Sequence, residues 1–177
     1  MHTEELETLK YPIGRFQYPQ KLEPSIVAHQ IDQIASLPGR LTAVANELTT
    51  DQLDTAYRPG GWTLRQVIHH LPDSHLNSYI RFKWTLTEDL PTIKAYKEAL
   101  WAELPDGKCA DISYSLRLLE SLHARWVIVL RQLTPEDLMK RFVHPEHTRE
   151  IHLYQNISLY AWHGEHHLAH INGVRTK

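Results

Sequence analysis

Four stretches of this 177-residue chain repeat apolar residues every three to four positions, and prolines and glycines fall mostly between them. A run of that period buries one face of a helix, so such a chain has to pack helix against helix. The first stretch runs from about Pro24 to Glu47, with Ile31, Ile34, Leu37, Leu41 and Val44 at helical spacing. Leu37-Pro38-Gly39 inside it is expected to break or kink it. Thr49 to Trp62 has room for a short turn of helix and ends in the loop Arg58-Pro59-Gly60-Gly61. A second helix opens on the capping box Thr63-Leu64-Arg65-Gln66 and continues to about Thr87, with a kink expected at Pro72. A third spans about Ser113 to Leu133, with Leu116, Leu119, Leu122, Trp126 and Leu130 in its stripe. Thr134-Pro135-Glu136-Asp137 starts a short turn, Lys140 to Ile151 alternates as a small hairpin does, and a last helix runs from about Leu153 to Gly173. The sum is an all-α, antiparallel four-helix bundle in one domain over residues 1–177.

Composition narrows the function classes. Lys and Arg number 19 against 21 Asp and Glu, for a formal charge of −2 and a pI near 6.7. A phosphate backbone demands clustered basic residues, so nucleic acid is not an expected partner. The single Cys109 forms no internal disulfide, which suits a reducing compartment. No apolar run approaches the roughly 18 to 20 residues that span a bilayer, and Met1 to Arg15 is too charged for a signal sequence, so the expected location is the cytoplasm without membrane contact.

Histidine is the anomaly. There are thirteen, seven of them from His144 onward, and four crowd into His163-Gly164-Glu165-His166-His167-Leu168-Ala169-His170. With His163 at zero, a helical wheel puts His167 near +40°, His170 near −20° and His166 near −60°. The apolar residues of the same helix centre near +80°, so His163 and His167 point inward, His170 and His166 away from the core, and Glu165 to solvent. An i, i+4 pair stacks two imidazoles one turn apart, as helices do when they chelate a metal, although the spacing also arises by chance where histidine is abundant. Gly164, at about 1 kcal/mol of helix propensity relative to Ala, suits a site where another helix approaches closely. Two imidazoles rarely suffice for a catalytic metal, and the third ligand has three candidates on the second helix, His69, His70 and His75. The wheel favours His75, which lies in the apolar stripe, though a buried core histidine has the same signature.

The run from Gly60 to His75, Gly-Gly-Trp-Thr-Leu-Arg-Gln-Val-Ile-His-His-Leu-Pro-Asp-Ser-His, and the run from Tyr160 to Ile171, Tyr-Ala-Trp-His-Gly-Glu-His-His-Leu-Ala-His-Ile, resemble the DinB-like four-helix bundles. With Tyr11 to Phe16 and Ala99 to Pro105 they resemble, more narrowly, the YfiT branch of bacterial metal-dependent hydrolases. The resemblance covers nearly the whole chain. It implies a divalent metal on His70, the histidine that precedes Leu-x-Asp, together with His163 and His167. His75 then becomes a group beside a ligand or facing the substrate. Pro72 stands where many relatives carry Ala.

Three neutral imidazoles leave a divalent ion its full charge and an open position, which suits water activation for hydrolysis or capture of a thiol as thiolate for transfer. Zinc leads among the metals and nickel is the alternative, since imidazole suits both. Acceptors that fix the tautomers of the ligand histidines are sought in Asp73, Glu120 and Glu165. The catalytic base is left unassigned. The expected partners are a small-molecule substrate, a thiol cofactor under the transfer reading, and a second copy of the chain in a homodimer. A bundle in which metal or histidines only stabilise the fold is the non-catalytic alternative. The acidic and aromatic stretch Tyr96 to Asp106 is a candidate substrate or dimer surface, with an ordinary wrapping segment as the plainer reading.

Overall fold

The computed structural model describes residues 3–146 and 148–175. Its first element is one the periodicity does not announce: α1, Thr3–Lys10, whose sole aliphatic residues are Leu6 and Leu9. The first long helix, α2, covers Pro24–Ala45 and runs unbroken through Pro38, correcting the expected break. Pro38 has no N–H to offer the Ile34 carbonyl one turn back. That oxygen accepts instead from His123 Nδ1 at 2.7 Å, and buried Leu37 and Leu41 hold the helix on either side.

A short α3 (Thr50–Leu53) precedes α4 (Leu64–Thr87). The capping box at Thr63 forms as the sequence predicts, with Gln66 N donating to Thr63 Oγ1 at 3.2 Å and Thr63 N to Gln66 Oε1 at 3.0 Å. Helix α4 also continues through its proline, Pro72. The long connection after it carries two short helices, α5 (Glu98–Trp101) and α6 (Pro105–Cys109). Gln66 Nε2 ties it down by donating to the Ala102 carbonyl at 2.8 Å.

Helix α7 (Ile112–Leu130) starts from the Asp111 cap, and α8 (Pro135–Met139) from a capping box at Thr134. The expected hairpin is β1 (Arg141–His144) with β2 (Arg149–His152), antiparallel, with Phe142 opposite Ile151. Pro91 and Ile93 of the long connection bond to both sides of Val143 and extend the hairpin. The last helix, α9, is Leu153–Arg175.

The long helices α2, α4, α7 and α9 form the bundle, and no helix among the described residues is long and apolar enough to cross a membrane. Helices α4 and α9 run antiparallel, since Ser78 meets Asn156 and His70 meets His163. The core divides into two apolar clusters. One gathers around Phe82, Trp126 and Ile157, the other around Leu41, Ile68, Leu119 and Ile171. Between them, at the same height on α4, α7 and α9, lies a layer of histidines. Helices α2 and α9 approach closely at Gly164: a Cβ there would lie 2.6 Å from Leu37 Cδ2, so a larger residue would force the buried Leu37 side chain to shift.

Candidate metal centre

His70 of α4 and the pair His163 and His167 of α9 bring one ring nitrogen each to within 4.8 Å of one another. His70 Nε2 lies 3.2 Å from His163 Nε2. Two nitrogens bound at about 2.0–2.1 Å to one tetrahedral zinc are roughly 3.3 Å apart, so this separation is that of neighbouring ligands. The three residues line a pocket of about 370 Å³, walled also by Trp62, Ser74, Arg81, Tyr96, Asn156 and Tyr160. Burial holds all three imidazoles neutral at physiological pH. It lowers His70 to about 4, and pushes His163 and His167 well below the usual histidine range with help from neighbouring rings. Neutral imidazoles are the form that ligates metal.

Two chains of histidines fix which nitrogen of His163 and of His167 is bare. His123 Nδ1 lies 2.7 Å from the Ile34 carbonyl, which only accepts, so the His123 proton is on Nδ1 and its Nε2 is an acceptor. His75 Nδ1, 2.9 Å away, therefore donates to His123 Nε2, and His75 Nε2 is left to accept. His163 Nδ1 donates to it at 3.1 Å, which leaves the lone pair of His163 on Nε2, facing His70. The second chain starts at the Lys10 carbonyl, the end of α1, where helical partners run out. His170 Nε2 donates to it at 3.2 Å, so His170 Nδ1 accepts from His167 Nδ1 over a longer 3.4 Å, and His167 Nε2 is bare. Trp62 packs on the third ring, His70, with centroids 4.8 Å apart.

These contacts correct several expectations. His75, the wheel's choice as third ligand, is wholly buried behind His163 rather than beside His70, because the ring faces His123 and Trp126 on α7. His69 turns away to Ser115 Oγ (2.7 Å) and the Ala110 carbonyl (3.2 Å). His166 and His170, which the wheel turns outward, are buried because the N-terminal segment and Tyr57 cover that face: His166 stacks on Trp162 and faces Tyr11, and His170 stacks on Tyr57. The acceptors expected in Asp73, Glu120 and Glu165 play no such part. Glu165 pairs with Arg40 of α2 at 2.5 Å, Glu120 is exposed, and Asp73 lies outside the relays. Burial and the nearby Asp106 raise the Asp73 carboxyl to about 6. The sequence reading passed over His123 and Arg81. His123 had a signal, since it lies in the apolar stripe of its helix between Leu119 and Trp126; Arg81 had none, since it lies about 100° from the stripe of Leu71, His75 and Phe82, on the same side of α4 as His70.

Residues 33–171 match the DinB superfamily. The chain belongs to that superfamily. Within it, the chain is 54% identical over 172 residues to a protein of Bacillus cereus (strain 03BB102) named "Putative metal-dependent hydrolase", covering 97% of this chain and 98% of that one. A protein of Bacillus thuringiensis subsp. konkukian bearing the same description matches equally well. Among solved structures, this DinB fold superposes with a TM-score of 0.92 on YfiT from Bacillus subtilis, described as "a probable metal-dependent hydrolase with an unusual four-helix bundle topology". That pair is 46% identical over 94% of this chain and 95% of YfiT.

Proposed function

We propose that the protein is a metal-dependent hydrolase of a small molecule, with one divalent ion held by His70, His163 and His167. The observation that carries the reading is the meeting of three neutral imidazoles at a pocket wall, two of them with the bare nitrogen set by relays to backbone carbonyls. Among the described residues no fourth His, Cys, Asp or Glu joins the cluster. A structural zinc site is normally closed by four protein ligands, so three favour a site that admits a reactant over one that only braces the fold. A divalent ion there supplies a Lewis acid and a means of activating water at neutral pH, with zinc the expected metal and nickel the alternative. The chain's own residues bind and orient. The Tyr160 hydroxyl accepts from Ser74 Oγ at 3.4 Å, which leaves its proton available to a substrate oxygen in the pocket. Trp62 and Tyr96 wall the same space.

The test is a metal analysis followed by a panel of ester and amide substrates, with and without added thiols. Hydrolysis that a chelator abolishes and added zinc restores supports the reading. Conjugation of a thiol to an electrophile without any hydrolysis would move the protein to the transferase class. A protein that takes up no stoichiometric metal would return it to the non-catalytic class.

A further inference from the structure

Arg81 also lines the histidine pocket, and no ion pair among the described residues balances it. The residue is 7% exposed, Nε has no hydrogen-bond partner, and the guanidinium takes part in none of the ion pairs among the described residues. In the same pocket wall, Asn156 donates through Nδ2 to Ser78 Oγ at 3.0 Å, and its buried Oδ1 has no hydrogen-bond partner among the described residues. A buried charge without a counter-ion is strongly unfavourable, and arginine does not escape by losing its proton. Such a group persists where a ligand completes it.

We infer that Arg81 anchors a carboxylate of the substrate at the end of the pocket away from His70, with Asn156 Oδ1 accepting from a donor beside that carboxylate. This deepens the proposed hydrolase function and rests on it. Arg81 follows His70 by eleven residues, three turns plus about 20°, so both occupy one face of α4. Eleven residues rise about 16 Å, and an arginine side chain leans back towards the helix N-terminus, so the gap to be bridged is on the order of 10 Å. The fork of a guanidinium matches a carboxylate through two parallel hydrogen bonds. No lysine or second arginine lines the pocket, and Glu98 stands exposed among its lining residues, so a monoanion fits better than a phosphate dianion. The substrate class is thus an extended small carboxylic acid whose reacting bond lies several bonds from the acid group.

Two probes test this on the zinc-loaded protein by calorimetry: suberic acid monohydroxamate, which carries a metal-binding head and a carboxylate tail, and the same hydroxamate with a carboxamide tail. The carboxylate probe is expected to bind at least about tenfold tighter, as a charge-assisted bidentate pair implies. Arg81→Gln should erase the preference, and Arg81→Lys should keep part of it. Equal affinity of the two probes for the wild-type protein overturns the role of Arg81 and leaves the metal site standing, and so does a preference that survives in a folded Arg81→Gln. If neither probe binds more tightly to zinc-loaded than to metal-free protein, the metal reading fails and this one with it.

Discussion

His123→Phe removes a ring two imidazoles away from the proposed metal, and it should still weaken metal binding. Phenylalanine keeps the planar shape that stacks on His75, with ring centroids 4.9 Å apart, and packs against Trp126. It takes away both nitrogens. The Ile34 carbonyl, which Pro38 leaves without a helical donor, loses its 2.7 Å partner, and His75 Nδ1 loses its acceptor at 2.9 Å. Each buried polar group left unsatisfied costs about 1–3 kcal/mol, so the two together should cost the fold roughly 2–6 kcal/mol, which a domain in the middle of the usual range of about 5–15 kcal/mol survives. Freed from His123, His75 can carry its proton on Nε2, towards His163 Nδ1. His163 must then hold its own proton on Nε2, where it blocks the lone pair. Removal of a partner that orients a ligand typically lowers metal affinity 10–100-fold, about 1.4–2.7 kcal/mol. Zinc competition against a chromogenic chelator measures the affinity, and histidine ¹⁵N shifts of the metal-free protein report the tautomer. Unchanged zinc affinity with His163 still protonated on Nδ1 would refute the relay.

Three further outcomes are expected. In zinc titrations, His163→Ala and His167→Ala should each lose at least about tenfold in affinity and His166→Ala much less, because His166 stacks on Trp162 outside the cluster; equal losses would undo the ligand assignment. Gly164→Val should lower the melting stability by about 1–3 kcal/mol, since its Cβ would meet Leu37 Cδ2 at 2.6 Å in a packed interior, and an unshifted melting curve contradicts the close approach. The metal-free protein should lose stability in acid: burial holds His70 and His123 near 4 when folded against about 6.5 unfolded, so their contribution is complete above pH 6.5 and is lost as pH falls towards 4. Each group contributes a slope of up to about 1.4 kcal/mol per pH unit, while Asp73, raised to about 6, opposes the trend. Urea midpoints from pH 7 to 4.5 check this, and the slope should be shallower in His123→Phe.

The parts of this site that the sequence reveals are those set within a single helix. The i, i+4 spacing of His163 and His167 requires only a helix, and the Thr63 capping box requires only its own first turn. The choice between His70 and His75 was beyond a helical wheel, because a wheel assumes one apolar face. Helix α4 buries every residue from Gln66 to Pro72 as well as His75, and α9 is buried from Leu153 to Ser158 and again at His166 to Leu168. On a helix enclosed on most sides, the direction that matters is set by what the neighbours offer, and α7 offers His123. The family resemblance named His70 because it carries the outcome of that packing. It did not carry the relays, which depend on pairs of residues 88 and 89 positions apart, His75 with His163 and Ile34 with His123.

Both relays begin at a carbonyl that helix geometry leaves unsatisfied. Ile34 lacks its donor because Pro38 has no N–H, and Lys10 lacks one because α1 ends there. A peptide oxygen accepts and never donates, so it fixes the proton of the first imidazole, and each following ring inherits its tautomer in turn. A carboxylate in the same place would also fix the tautomer, yet it would bring a charge into the layer between the two apolar clusters and add a second titrating group beside the ligands. Carbonyls avoid both, and they leave the cluster with no negative charge of its own. The proline that a sequence reading marks as a helix breaker therefore does its work by freeing one oxygen: restoring an N–H with Pro38→Ala would give Ile34 a competing donor and loosen the hold on His123. Its expected signature is a weaker tautomer preference at His75 and His163 with helix α2 intact, and an unchanged histidine ¹⁵N spectrum would show that the relay does not need the proline.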